Sequence, residues 1–160
     1  MRLQILAVGK MKAGPEQDLY ARYADRIAKA GRNLHLDGPD LVEISESRQQ
    51  GVDERKNEEA SQLVSRLDAG ATLIMLDEHG KDLSSNGFSE LMRGERDGGA
   101  GTLAFALGGP DGHGEAVREA ARRSIRFGSM TWPHQIARIM LVEQLYRGIT
   151  ILSGHPYHRE

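Results

Sequence analysis

Short apolar runs alternate with helix-period segments along this chain, and that alternation restricts the fold more than any other feature. Leu3-Gln4-Ile5-Leu6-Ala7-Val8 stops at Gly9 and reads as a buried strand. Leu19, Tyr23 and Ile27 recur every four residues between Pro15 and Gly31, the spacing of one helix face. Leu41–Ile44 gives a weaker strand, and Ala60, Leu63, Val64 and Leu67 give a helix over 53–68. Thr72–Leu76 is a strand, Phe88, Leu91 and Met92 mark a helix, and Thr102–Leu107 is another strand. A helix carrying Val117, Ala120 and Ala121 follows, then an extended piece over 125–130, then a long helix from Pro133 to about Tyr146. Strands separated by helices predict an α/β fold: a mostly parallel sheet with helices on both faces. No repeat or linker interrupts the pattern, so residues 1–160 are expected to form one domain.

The composition is that of an ordinary globular chain, with 160 residues, 39% hydrophobic and 28% charged. Cysteine is absent, which excludes a disulfide scaffold, a thiol nucleophile and any Cys-ligated metal site. Met1–Ile5 lacks the apolar core of a signal peptide, and no run approaches the roughly 18 residues of a bilayer span. A cytoplasmic protein without membrane contact is therefore expected. Net charge is only −2, but it is unevenly spread. Residues 118–160 hold Arg118, Arg122, Arg123, Arg126, Arg138, Arg147 and Arg159 against Glu119, Glu143 and Glu160. That asymmetry fits either an anionic partner or solvated helix faces.

Ligands of open parallel sheets bind beyond the carboxyl ends of strands. The segment after Leu76, the glycine loop after Leu107 and the turn before Pro133 are the candidates. Gly108-Gly109-Pro110-Asp111-Gly112-His113-Gly114 is not a P-loop, because Glu115-Ala116 stand where Lys-Ser/Thr is required, and it holds no dinucleotide fingerprint. It reads as a strand-to-helix turn or as a ligand cradle, in which a side chain at Gly109 would fill the ligand's space. Gly128-Ser129-Met130-Thr131-Trp132-Pro133 puts the only tryptophan beside a helix-starting proline. Trp132 is either a core aromatic or the apolar wall of a site for a flat heterocycle. The helix after Pro133 is apolar over most of its circumference (Ile136, Ile139, Met140, Leu141, Val142, Leu145, Tyr146, Ile149), as for an internal helix or a subunit contact. Arg118, Arg122 and Arg126 form one basic ridge if their helix runs that far.

The chain ends His155-Pro156-Tyr157-His158-Arg159-Glu160. Stacking, imidazole and cationic side chains together suit an unstacked nucleotide. The tail follows a Ser153-Gly154 link, expected to be flexible, that would let it act as a clamp. His155 and His158 lack an obvious third ligand, so no metal is expected, and no Gly-x-Ser-x-Gly elbow supports a hydrolase.

Read in order, these segments resemble the SPOUT methyltransferases, specifically their small bacterial branch acting on pseudouridine N3 of 23S ribosomal RNA. The resemblance rests on Leu3–Gly9, Leu76-Asp77, Gly108–Gly112, Pro133-His134, Glu143-Gln144-Leu145-Tyr146-Arg147 and the tail; residues 30–61 carry no matching motif. It implies a C-terminal trefoil knot, a homodimer, and S-adenosylmethionine as methyl donor to a pseudouridine in helix 69 of 23S rRNA within the ribosome. It places the cofactor against Leu76, Gly108, Gly109, Gly128, Ser129, Met130, Thr131, Trp132 and Pro133. It implicates the tail residues His155, Tyr157, His158 and Arg159 in catalysis; their chemistry suggests that Tyr157 stacks on or orients the base, Arg159 holds phosphate or developing negative charge, and His155 or His158 takes the N3 proton. From the residues alone, a non-enzymatic nucleotide- or RNA-binding module is the alternative.

Overall fold

The computed structural model describes residues 1–158. Five strands, β1 (Arg2–Val8), β2 (Asp37–Ile44), β3 (Thr72–Asp82), β4 (Thr102–Leu107) and β5 (Ala121–Arg126), form one sheet in the order β2-β1-β4-β3-β5. Every pairing is parallel. Helices α1 (Pro15–Ala30), α3 (Ser85–Asp97) and α5 (His134–Leu152) cover one face; α2 (Val52–Val64) and α4 (Glu115–Ala120) cover the other. The expected architecture is thus present. β4 is buried along its whole length, because a central strand with both faces covered takes a continuous apolar run. Leu3, Ile5 and Ala7 of β1 face α1, α3 and α5, while Leu6 and Val8 face α2 and α4. Among the described residues no helix is long and apolar enough to cross a membrane.

α5 is apolar nearly all round because it lies across the sheet with α1 and α3 on either side. Leu141 and Val142 are fully buried, whereas Met140 is half-buried and Ile136 is exposed, which shows the side turned outward. Arg138 is 2% exposed; it pairs with Glu43 of β2 and donates to the carbonyls of Val8 (3.2 Å) and Gly9 (3.0 Å). It fastens α5 to the carboxyl end of β1.

Several boundaries differ from the sequence expectation. α2 stops at Val64 because buried Gln4 of β1 captures the next turn, its amide donating to the Arg66 carbonyl at 3.0 Å. β3 runs on past Leu76: Leu76 and Lys81 both pair with Ile125, so 77–80 bulge out of the ladder. α4 ends at Ala120, and residues 121–126 instead form β5 on the edge of β3. A helix of six residues is marginal alone, and the ladder with β3 wins the following backbone. The basic ridge therefore does not form. Arg118 of α4 pairs with Asp77 (3.0 Å), while Arg122 and Arg126 of β5 pair with Glu95 of α3 (3.2 Å) and Asp82 of β3 (2.6 Å).

α5 continues to Leu152, six residues beyond Tyr146. It ends in a fixed turn: the His155 amide donates to the Thr150 carbonyl (2.9 Å), the Gly154 amide to that of Ile151 (3.1 Å), and Gly154 takes φ +67°. This paired closure needs glycine at the left-handed position. The Ser153-Gly154 link is a helix cap, not a flexible hinge.

Candidate active site

A cavity of roughly 290 Å³ opens beyond the carboxyl ends of β3 and β4, close to the lower end for small-molecule sites. Three segments build it: Leu76–His79 after the first part of β3, Leu107–His113 after β4, and the loop from Arg126 into α5. Leu76, Gly108, Gly109, Gly128, Met130, Thr131 and Trp132 all line this one cavity. Ser129 and Pro133 are not in its wall; the Pro133 carbonyl accepts from the Ala137 amide at 2.9 Å and begins α5. Trp132 is neither a core residue nor free. It is 39% exposed, and its indole nitrogen donates to the Phe127 carbonyl (2.9 Å), which closes the loop.

The glycine loop owes its shape to close approaches within the protein. The Gly112 amide donates to the Gly109 carbonyl at 2.9 Å across Pro110-Asp111. A Cβ on Gly109 would lie 2.9 Å from Glu59 Oε2 and 3.1 Å from Val8 Cγ1, on the side facing α2. The expectation that a Gly109 side chain would occupy the ligand's space is therefore corrected: it would meet the core. Gly112 (φ +85°) and Gly128 (φ +87°) behave differently. Both line the cavity, and a Cβ on either would meet no atom within 4 Å. They leave backbone bare to a ligand.

The sequence pattern did not single out the polar groups that complete the site. The side chain of Asp77 is 7% exposed, accepting from the His79 amide (2.9 Å) and pairing with Arg118. Burial pushes its carboxyl up, but the His79 amide and Arg118 outweigh this and hold it below the usual range, hence ionised. His113, 4% exposed, donates from Nε2 to the Leu76 carbonyl at 2.8 Å. Burial pushes its pKa down, so the ring is neutral. His113 thereby ties the glycine loop to the end of the first part of β3. The signal for both residues was their place just beyond an apolar strand, to which the Leu76-Asp77 pair of the resemblance adds for Asp77.

Bare loop backbone and apolar walls at Leu76, Phe127 and Trp132 fit a flat nucleoside, with the Asp77–Arg118 pair supplying polar groups at its side. That description matches S-adenosylmethionine, whose heterocycle, ribose and sulfonium these groups would meet.

None of the described tail residues, 155–158, lines this cavity. Tyr157 docks on the α1–α5 pair instead. Its hydroxyl donates to Glu143 Oε1 (3.1 Å) and lies 3.3 Å from the Tyr23 hydroxyl; its ring meets Tyr146 at 4.8 Å and 62°. The Arg147 guanidinium sits 5.0 Å over the same ring and contacts His158 Nδ1 at 3.5 Å. His155 is exposed, its Nδ1 accepting from the Tyr157 amide at 3.2 Å. Arg159 lies outside the described residues. Tyr23 and Glu143 also border a second cavity of about 490 Å³, which shares Arg126, Phe127 and Gly128 with the first. The tail and the first cavity are thus neighbours across one loop.

Comparison with known proteins agrees with this geometry. A family model described as "Predicted SPOUT methyltransferase" matches residues 1–158. The chain is 53% identical over 159 residues to a protein of Brucella anthropi named ribosomal RNA large subunit methyltransferase H, covering 99% of both. Proteins of the same name from Chelativorans sp. (54%, 100% of this chain and 92% of that one) and Xanthobacter autotrophicus (50%, 99% of both) are similar throughout.

Proposed function

From the premise that the chain belongs to the SPOUT methyltransferase family, whose members use S-adenosylmethionine, we propose a specific substrate and a division of labour among its residues. The protein is a methyltransferase of large-subunit ribosomal RNA. Its target in this reading is N3 of a pseudouridine in helix 69 of 23S rRNA, on assembled ribosomes in the bacterial cytoplasm. The reading carries with it a single catalytic domain of 160 residues, a homodimer and the C-terminal trefoil knot. A non-enzymatic module is no longer needed to explain the glycine loop.

The observation that carries the site assignment is the joint lining of one cavity by Leu76, the glycine loop, Gly128 and Met130–Trp132, next to the docked tail. S-adenosylmethionine supplies the electrophilic methyl group. The protein's task is then largely alignment, which can contribute about 7–11 kcal/mol. Leu76, Gly108, Gly109 and Gly128 contact the nucleoside through backbone, Trp132 and Met130 close the outer wall, and the Asp77–Arg118 pair supplies polar groups at its side. Ser129 and Pro133 shape the loop without touching the ligand.

The tail serves the RNA. Burial, with the bonds to Tyr23 and Glu143, raises the Tyr157 pKa, so it remains a phenol and a donor. With Arg147 over its face and Tyr146 at its edge, Tyr157 orients the tail rather than stacking freely on a base. His155 is the exposed imidazole and takes the N3 proton once its Nδ1 releases the Tyr157 amide. His158, held against Arg147, supports the tail, and Arg159 balances phosphate or developing negative charge.

The homodimer in this reading uses the exposed apolar side chains of the loop before α5 and of its first turn: Met130 (70%), Trp132 (39%) and Ile136 (36%). Titration calorimetry with S-adenosylhomocysteine tests the cofactor assignment. Micromolar binding, one molecule per chain, is expected; preferential binding of ATP or NAD would overturn it.

A further inference from the structure

Residues 30–61 carry no recognisable motif, yet α2 and the segment before it hold the glycine loop from the side away from the cavity. Arg55 Nε pairs with Asp111 Oδ2 at 2.7 Å, both side chains being 26% exposed. Nη1 of the same guanidinium donates to the carbonyls of Gln49 (3.1 Å) and Gln50 (2.8 Å). One turn further along α2, Glu59 is 4% exposed; it accepts from the Ser47 amide (2.8 Å) and stands where any Gly109 side chain would have to go. Asn57 accepts from the Glu115 amide (3.3 Å), just past the loop. The turn between Gly109 and Gly112 is closed by backbone pairing across Pro110-Asp111 alone, and glycine-rich backbone is costly to order. Its one long polar side chain, Asp111, is the handle that Arg55 grips.

We propose that Arg55 is a positioning residue for the methyl-donor site: through Asp111 it holds the glycine loop in the conformation that binds cofactor. This rests on the reading that the cavity takes S-adenosylmethionine. An unbraced loop spends only a fraction of its time in the competent shape, and apparent affinity falls by that fraction. Once cofactor is bound the loop is ordered either way, so turnover at saturating cofactor is unaffected. The signature is a rise in Kd and KM for cofactor at nearly constant kcat.

The test is a double-mutant cycle on the full chain, read by calorimetry with S-adenosylhomocysteine and by methylation of ribosomes lacking the modification. Arg55→Met is expected to raise the Kd, and the KM for S-adenosylmethionine, about tenfold, with kcat within twofold. Arg55→Lys falls between wild type and Arg55→Met, because an ammonium cannot reach Asp111 and both carbonyls together. Adding Arg55→Met to Asp111→Asn should cost little more than Asp111→Asn alone, the mark of a coupled pair. Should Arg55→Met fail to fold, Arg55→Lys with Asp111→Asn carries the same cycle. A Kd within twofold of wild type in the Arg55 variant, or fully additive losses, would overturn the proposal. Trp132→Ala separates the two levels: unchanged affinity there would remove the cavity reading itself, whereas weakened affinity there beside an intact Arg55 variant would remove only the brace.

Discussion

The Tyr157 hydroxyl donates to Glu143 at 3.1 Å, and Arg147 holds the same carboxylate while lying over the Tyr157 ring. The C-terminal tail is thereby fastened to α5 one loop away from the proposed methyl-donor cavity. Its orientation is part of the fold, whereas its chemistry is proposed to serve the RNA.

Deleting residues 155–160 should eliminate methylation and leave S-adenosylhomocysteine affinity within about threefold, since none of the described tail residues lines the cavity. Tyr157→Phe is the finer variant. It keeps the ring packing and loses both hydroxyl contacts, so turnover should fall about tenfold with cofactor KM unchanged, in line with ~1.5 kcal/mol for a bond to a charged group. Undiminished turnover in either variant would make the tail a bystander.

Gly109→Val should destabilise the protein as well as weaken cofactor binding. Its side chain would press on Glu59 and Val8, and overpacking of this kind costs about 1–3 kcal/mol. Thermal melts should show a fall of roughly 2–10 °C for a chain of this length. A wild-type melting temperature with lost binding would restore the ligand-clash explanation.

Much of this was legible in the sequence. β4 ends where its apolar run meets the glycines, covered on both faces, and α1 ends at Gly31, one turn after its buried Ile27. The three strand-end segments were found because parallel sheets place ligands there. The failures have a common cause: the deciding interaction was distant in sequence. The end of α4 depends on the ladder with β3, that of α2 on Gln4, and the fate of Arg118, Arg122 and Arg126 on three acids that periodicity cannot locate. Tyr157 looked like a free stacking platform because Tyr23 and Glu143, its partners, are named by no local pattern.

His113 gives the stability a defined pH dependence. Burial places its folded pKa below the roughly 6.5 of an unfolded imidazole. Between those values the unfolded chain holds a proton that the folded chain does not, so stability falls as pH drops below about 6.5 and gains nothing above it. The limiting slope is ~1.4 kcal/mol per pH unit. Asp77 and Asp111, with lowered values, lose their contribution only at or below the ordinary carboxylate range; raised Glu59 acts in the opposite sense. Urea midpoints at pH 7.5 and 5.5 should drop more in wild type than in His113→Leu. Equal drops would contradict the assignment.

Light scattering at micromolar concentration should return twice the 17.6 kDa chain mass. Ile136→Glu, which charges an exposed apolar side chain without touching the core, should shift it to the single-chain mass. A wild-type monomer would remove the dimer.

The central claim is methyl transfer to one nucleotide, and the most direct measurement is to map it. The protein is incubated with S-adenosylmethionine labelled in its methyl group and ribosomes lacking the modification, and the labelled nucleotide of 23S rRNA is then identified. The account predicts label at N3 of a single pseudouridine in helix 69. Label at another nucleotide, or none with cofactor bound and ribosomes intact, would contradict it.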